Sequence, residues 1–123
     1  MASTTIVTAG PIGPAESVIC TTPPLNIPLD FAQVIILWSV RFSAGPTGWN
    51  VSYNVRRGTT TTGALVNVTQ NILESINQPL IRSGSNVDTP GAVAGQQWSL
   101  TFNIISTTSA ATVVDVVMLA FAL

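Results

Sequence analysis

The apolar residues of this chain recur with a period of two, and no other feature of the sequence restricts the fold as much. Apolar and polar side chains alternate in residues 49–56 and again within residues 96–105. Successive side chains of a strand point to opposite faces, so each run predicts a strand with one face in a core. Residues 32–42 have one wholly apolar face and one mixed face. Residues 112–123 are apolar on both faces apart from Thr112 and Asp115.

About seven or eight such runs follow one another with turn residues between them, and no helical segments alternate with them. This pattern predicts an all-β antiparallel β-sandwich, and within that class we favour a jelly roll. Weak helical spacing in residues 71–77 allows at most one short helix. Residues 83–95 are rich in Gly, Ser, Asn, Asp and Pro, so we expect an exposed loop there.

Glycine and proline set the start of the chain apart from the rest. Residues 1–15 contain two of each, and both residue types oppose helix and central strand. We expect residues 1–15 to form an extended N-terminal arm and residues 16–123 to form one jelly-roll domain, a length that suits a single core. We predict that the arm binds a partner as an added strand through its larger apolar residues, Ile6, Val7 and Ile12.

Charged residues make up 7% of the chain, whereas soluble domains average about 25%. A surface with so few charges is expected to be partly buried against other chains. The chain has no lysine and a formal net charge of −1, so nucleic acid is not expected as a partner. No apolar run reaches the roughly 18 residues of a membrane span, and the first residues do not resemble a signal peptide. We therefore expect synthesis in a cytoplasm and no membrane contact.

The side chains that most enzymes use for catalysis are missing. The sequence has no histidine and no lysine, which removes the commonest general base and the Schiff-base amine. The five carboxylates are far apart in sequence, and Cys20 has no histidine partner. We therefore expect no catalytic residue, no metal site and no cofactor. Cys20 is interpreted as a small buried apolar residue.

Two polar motifs are interpreted as structural. In Asp88-Thr89-Pro90-Gly91, the aspartate would cap backbone amides, while proline and glycine supply the backbone angles of a turn. The adjacent Arg56 and Arg57 would point to opposite faces of a strand and make ordinary surface or interface contacts.

The terminal run raises the question of what covers it. A strand that is apolar on both faces needs cover on both, either because it is central in the sandwich or because its second face meets a neighbouring subunit. We predict a homotrimer whose interface includes four residues of this strand: Val113, Val117, Leu119 and Phe121.

Two stretches carry a resemblance to known proteins. In residues 51–66, a strand leads through Arg57-Gly58 into a threonine-rich turn, and later the loop that begins at Asp88 precedes the strand in residues 97–102. This layout resembles small jelly-roll virion and tail-associated proteins of bacteriophages. It is also similar to the trimers of tumour necrosis factor and complement C1q. The resemblance implies a trimer with a binding or cementing role and no enzymatic activity.

The resemblance leaves two functions open. The first is a capsid decoration, cement or minor capsid protein, located in the virion, which stabilises a phage shell by binding the major capsid protein or other virion proteins. The second is a receptor- or glycan-binding tip of a phage fibre, with Trp49 or Trp98 in an exposed groove. Because both tryptophans lie on alternating apolar faces, we expect them in the core and favour the first function.

Overall fold

The computed structural model describes residues 2–7, 11–28, 33–42, 50–67, 70–73, 80–104 and 111–123. All regular elements in these ranges are strands, and the described residues contain no helix with the length and apolar character needed to cross a membrane. The strands are β1 (Ala2–Val7), β2 (Pro11–Ile12), β3 (Ser17–Thr21), β4 (Leu25–Ile27), β5 (Val34–Phe42), β6 (Asn50–Arg57), β7 (Gln70–Leu73), β8 (Leu80–Asp88), β9 (Val93–Gln96), β10 (Trp98–Ile104) and β11 (Ala111–Ala122).

The strands form two main antiparallel sheets. The first sheet has the order β1-β11-β5-β8, with β2 also paired to β11, and the second has the order β3-β10-β6-β7. The short strands β4 and β9 pair with each other. Strands from the two ends of the chain are neighbours in both sheets, which is the order of a jelly roll built from two Greek keys. The predicted all-β sandwich is therefore confirmed.

The core lies between the two sheets and follows from the alternation in the sequence. Five inward residues of β5 are buried: Val34, Ile36, Trp38, Val40 and Phe42. The second sheet contributes Val51, Val55, Trp98, Leu100, Phe102 and Ile104. Aromatic rings meet edge to face across the core, with centroids 5.7 Å apart for Phe42 and Phe102.

The segment expected to be an exposed loop, residues 83–95, belongs largely to strands. β8 pairs with β5 along its whole length, and β9 follows after a short turn. Gly84, which suggested a loop, lies opposite Trp38, and a Cβ atom at Gly84 would come within 2.5 Å of the indole ring. Glycine is therefore required here because the strand backbone and a large aromatic side chain approach closely.

The helix allowed in residues 71–77 is also wrong where the structure describes it. β7 pairs residue by residue with the first half of β6, and residues 74–77 lie outside the described residues. The edge of β6 carries backbone donors and acceptors that need partners, and this pairing outweighs a weak local preference for helix.

The structure builds the N-terminal segment into the first sheet, which corrects the domain boundary expected at residue 15. β1 pairs with β11 over six positions, and β2 pairs with the start of β11 through Pro11 and Ile12. These pairs satisfy the second edge of β11, and proline is tolerated because β2 is an edge strand. The side chain of Ile12 is 1% exposed and belongs to the core, so Ile12 is not part of a separate binding arm.

Replacing Ile12 by alanine should test this corrected boundary. Because the side chain is buried in the core, we expect a loss of about 2–5 kcal/mol in the free energy of unfolding, measured by urea denaturation. The matched control is Leu65→Ala, whose side chain is 48% exposed and lies outside the first sheet. That change should stay within about 0.5 kcal/mol. Equal effects of the two variants would contradict the packing of the N-terminal segment.

Gly84→Ala should destabilise the sandwich by about 1–3 kcal/mol, because the new methyl group overlaps the buried indole of Trp38. Gly13→Ala is the control, since a Cβ atom there meets nothing within 4 Å. Thermal unfolding of the two variants should show a lowered midpoint for Gly84→Ala alone. A Gly84→Ala protein as stable as the wild type would mean that the indole does not lie on this strand.

Candidate interaction surface

The outer face of the first sheet carries apolar side chains on three neighbouring strands, beside the outward serines Ser39, Ser83 and Ser85. On β11, alternate residues Val116, Met118 and Ala120 are buried in the core, so the residues between them point outward. Register pairs these outward residues with alternate residues of β5, and those in turn with alternate residues of β8. We define the apolar outer face by seven residues: Ile35, Leu37, Ile81, Val87, Val117, Leu119 and Phe121.

Several members of the apolar outer face are open to solvent. Val117 is 37% exposed and Leu37 is 38% exposed, although both lie on the two central strands of the sheet. A shallow groove of about 180 Å³ runs between these strands and is lined by Leu37, Trp38, Ser39, Val117 and Leu119. A groove of this size and lining suits one or two aliphatic side chains of another protein.

One ion pair marks the end of this face. Arg41 donates from Nη2 and Nε to Oδ2 of Asp115, at 2.6 and 3.1 Å, and the two residues are register partners on β5 and β11. Both side chains are well exposed, so the pair contributes little to stability. It leaves the end of the face without net charge.

Three of the four predicted interface residues meet on the apolar outer face. Val117, Leu119 and Phe121 follow each other along β11 and pair in register with Ser39, Leu37 and Ile35. Val113 does not follow them, because the register shifts between Val113 and Asp115, and Val113 pairs with Phe42. The register shift separates Val113 from the other three residues along the strand. The interface role of all four residues stays a prediction.

The predicted arm residues lie in two different parts of the structure, the edge strand β1 and the core. Ile6 pairs in register with Val117, and Val7 pairs with Val116, so both belong to the edge strand β1. Their binding to a partner stays a prediction. Ile12 is a core residue, as described above.

The outer face of the second sheet is different, because its polar side chains are tied to one another. Glu16 Oε1 accepts hydrogen bonds from Thr101 Oγ1 at 2.6 Å, Arg56 Nε at 2.9 Å and Asn54 Nδ2 at 3.1 Å. Ser99 is also buried on this face. The sequence alternation predicted these positions as polar and solvent-facing, and it gave no sign that Glu16 would cover them.

These contacts favour the ionised form of Glu16 over the neutral form. Burial opposes its charge, but the hydrogen bonds from Arg56, Thr101 and Asn54 outweigh burial and lower the pKa of Glu16 below its usual value. Arg56 also donates to the carbonyl oxygen of Gly63 at 2.8 Å, which fixes the threonine-rich turn against the sheet.

A second carboxylate joins the two sheets. Asp88, at the end of β8, accepts two hydrogen bonds from Arg57 of β6 at 2.6 and 2.8 Å, and one from the indole Nε1 of Trp98 on β10 at 2.8 Å. It also accepts from the amide of Thr89 at 2.9 Å, as predicted for the turn that ends at Gly91, where φ is 81°. Burial raises the pKa of Asp88, but these hydrogen bonds more than reverse the effect, so it lies below the usual value.

The two arginines that are adjacent in sequence thus serve different partners. Arg56 binds Glu16 on the outer face of the second sheet, and Arg57 binds Asp88 across the gap between the sheets. Their opposite directions were predicted from strand geometry, whereas their partners, which are distant in sequence, were not.

The aromatic residues considered for a ligand groove are not available for one where the structure describes them. Trp98 is fully buried, which is the outcome expected from its alternating face, and Trp49 lies outside the described residues. Cys20 is buried as predicted, and burial raises the pKa of its thiol to about 11. Its reactive thiolate form is therefore rare at neutral pH.

No protein-family model matches the sequence, and no curated protein matches it. Among solved structures, the chain is similar to FLHE, with TM-score 0.56 and 10% identity over 98% of this chain and 94% of that chain. It is also similar to the globular domain of zebrafish complement 1qA protein, with TM-score 0.54 and 9% identity over 98% and 94%. A structure of Bacillus endospore appendages is similar over 100% and 88%, with TM-score 0.47 and 17% identity.

At these identities, the similarities to FLHE and to the complement domain show a shared β-sandwich fold. They agree with the fold that the resemblance to C1q implied. They leave the surface of this chain, and not its fold, as the guide to what the protein does.

Asp88→Asn should show how strongly the inter-sheet carboxylate stabilises the fold. We expect a loss of about 2–3 kcal/mol, less than for a fully buried pair because Arg57 is partly exposed. The lowered pKa means that the charge stabilises the protein above the unfolded value of about 3.9, and this stability is lost as pH falls through the folded pKa. Urea unfolding should therefore separate wild type and variant at pH 7 and bring them together in acid.

The control for this measurement is Asp115→Asn, which removes the same charge from an exposed pair. Its effect should be below about 1 kcal/mol. A loss as large as that of Asp88→Asn would show that any carboxylate on this sheet has the same importance, and would contradict a special role for Asp88.

Proposed function

We propose that this chain is a structural subunit that binds further copies of itself through the apolar outer face of the first sheet. The observation that carries the proposal is the position of Val117, Leu119 and Phe121 beside Leu37 and Ile35 on two central strands. Apolar side chains on central strands are normally covered, and here the described residues provide cover on the core side alone.

A second copy is the occupant that this face suits best. Within the apolar outer face there is no ionisable group, and the ion pair at its end is neutral, so no like charges oppose the approach of an identical surface. Burial of apolar surface stabilises by roughly 25 cal/mol per Å². The outer face of the second sheet offers no comparable area, because its side chains are held in the network around Glu16.

The expected assembly is a homotrimer in a phage virion, where the chain decorates or cements the shell, or serves as a minor capsid subunit. This setting is supported by the resemblance to small jelly-roll virion proteins and by the low charge of the chain. Nucleic acid is a poor partner because three of the four arginines, Arg41, Arg56 and Arg57, are engaged with carboxylates. The partners we propose are other copies, the major capsid protein and other virion proteins.

We further propose that the chain acts without catalysis. Of the potentially reactive groups among the described residues, Glu16 and Asp88 each accept three or more hydrogen bonds, and Cys20 is buried. A role as a glycan-binding tip has less support, because Trp98 lies in the core.

Val117→Asp tests the proposed interface. The side chain lies on the outer face, so we expect the variant to fold, while a charge in the contact weakens self-association at least tenfold, or by about 1.4 kcal/mol. Light scattering after size-exclusion chromatography should give a trimer for wild type and a monomer for the variant at micromolar concentration. The control is Leu65→Asp, since Leu65 is 48% exposed and lies outside the first sheet.

A monomeric wild-type protein at these concentrations would contradict the proposal, and so would a Val117→Asp protein that assembles as well as Leu65→Asp. The setting in a shell is tested separately by electron microscopy of the parent particle with an antibody to this chain. Label spread over the shell supports decoration, whereas label confined to fibre tips favours the receptor-binding alternative.

A further inference from the structure

The two edge strands of the first sheet are both open within the described residues. There, β8 pairs with β5 alone, and β1 pairs with β11 alone. Each edge strand therefore presents one row of backbone N–H and C=O groups without a strand partner. Such a row is a template for pairing with another strand.

β8 has neither the proline, the lysine nor the bulge by which proteins often block an edge. It is nine residues long. Its carboxylate, Asp88, is turned into the clamp between the sheets, so Arg82 is the one remaining charge on the strand. Ile81 and Val87 flank the edge and are 62% and 56% exposed. A long, almost uncharged strand with exposed apolar groups favours pairing over solvation.

We propose that β8 of one copy pairs with β1 of a second copy, so that the first sheet continues from subunit to subunit. The directions are compatible: the four strands of the sheet alternate, so β8 and the β1 of a neighbour in the same orientation are antiparallel. β1 is six residues long and uncharged, and it fits within the length of β8. Antiparallel addition of this kind satisfies both open rows of backbone groups.

This contact rests on the proposed self-association and adds a second element to it. Ile81 and Val87 belong to the apolar outer face, so a continued sheet places the outer faces of adjacent copies side by side. Because the contact joins two different edges, it is heterologous, and it closes into a ring when the rotation between copies permits. A trimer is one such ring.

Disulfide trapping between separately prepared variants tests the pairing. In a Cys20→Ala background, Thr4→Cys at the middle of β1 is mixed with Ser83→Cys, Ser85→Cys or Val87→Cys on β8. The three β8 positions lie on one face of the strand and sample the register in steps of two residues. Under mild oxidation, at least one mixture should give a disulfide-linked heterodimer as the main product. The control pairs each β8 variant with Thr59→Cys, in the exposed turn after β6.

The outcomes separate this inference from the proposed function. Trapping of β1 to β8 at one register, and none with Thr59→Cys, supports the continued sheet. Trapping of β8 to itself would show a symmetric edge and overturn the choice of β1. A wild-type assembly that loses its oligomeric state in Val117→Asp but gives no edge disulfide would overturn the inference and leave the outer-face interface intact. A monomeric wild type would overturn both.

Amide hydrogen exchange gives a second readout that needs no cysteine. Dilution from an assembled to a monomeric concentration should deprotect amides of both β1 and β8. Unchanged exchange in both strands would contradict the pairing, even if a cysteine variant failed to fold.

Discussion

One buried carboxylate ties the edge strand β8 to the opposite sheet. Asp88 ends β8 in the first sheet, yet its side chain accepts three hydrogen bonds from Arg57 and Trp98 in the second sheet. The apolar core between the sheets is packed side chain against side chain. The bidentate arginine pair has strict geometry and adds a directional contact between the sheets at the end of β8. The contacts of Asp88 hold the C-terminal end of β8 in place. The exposed residues of this strand can therefore form part of the apolar outer face.

The two sheets solve the problem of their outer faces in opposite ways. On the second sheet, Glu16 accepts hydrogen bonds from residues of β6 and β10 and holds much of the polar face together, while Asn54 Oδ1 and Ser99 Oγ are buried there without a hydrogen-bond partner among the described residues. On the first sheet, most outward positions of β5 and β11 are aliphatic or aromatic, the exceptions being Ser39 and the Arg41–Asp115 pair, and they have no such cover within the described residues. The molecule therefore has one face suited to water and one suited to protein. This asymmetry predicts which face takes part in the proposed assembly. The low charge of the chain as a whole does not distinguish the two faces.

Period-two alternation predicted the strands whose core faces are apolar, such as β5 and β10, because burial of one face is a local property of the sequence. It failed where a residue serves a distant partner. Gly84 suggested a loop because glycine is common in loops, but its reason is the indole of Trp38, 46 positions away in sequence. The register shift between Val113 and Asp115 likewise gave no signal in the alternation of the sequence. The outer-face residues Val117, Leu119 and Phe121 could be predicted, since β11 is regular beyond this shift.

The ion pairs show how the few charged residues of the chain contribute to the fold. Within the described residues, Arg41, Arg56 and Arg57 pair with Asp115, Glu16 and Asp88, and two of these pairs link segments that alternation alone could not have joined. Glu16 and Asp88 both have a lowered pKa, so both pairs are complete at neutral pH and both weaken as the pH falls through the folded pKa values. Acid would thus weaken both the Glu16 network on the outer face of the second sheet and the contact of Asp88 that holds β8. The apolar outer face has no titratable group within it, so acid would weaken assembly through the fold that supports the face rather than through the face itself.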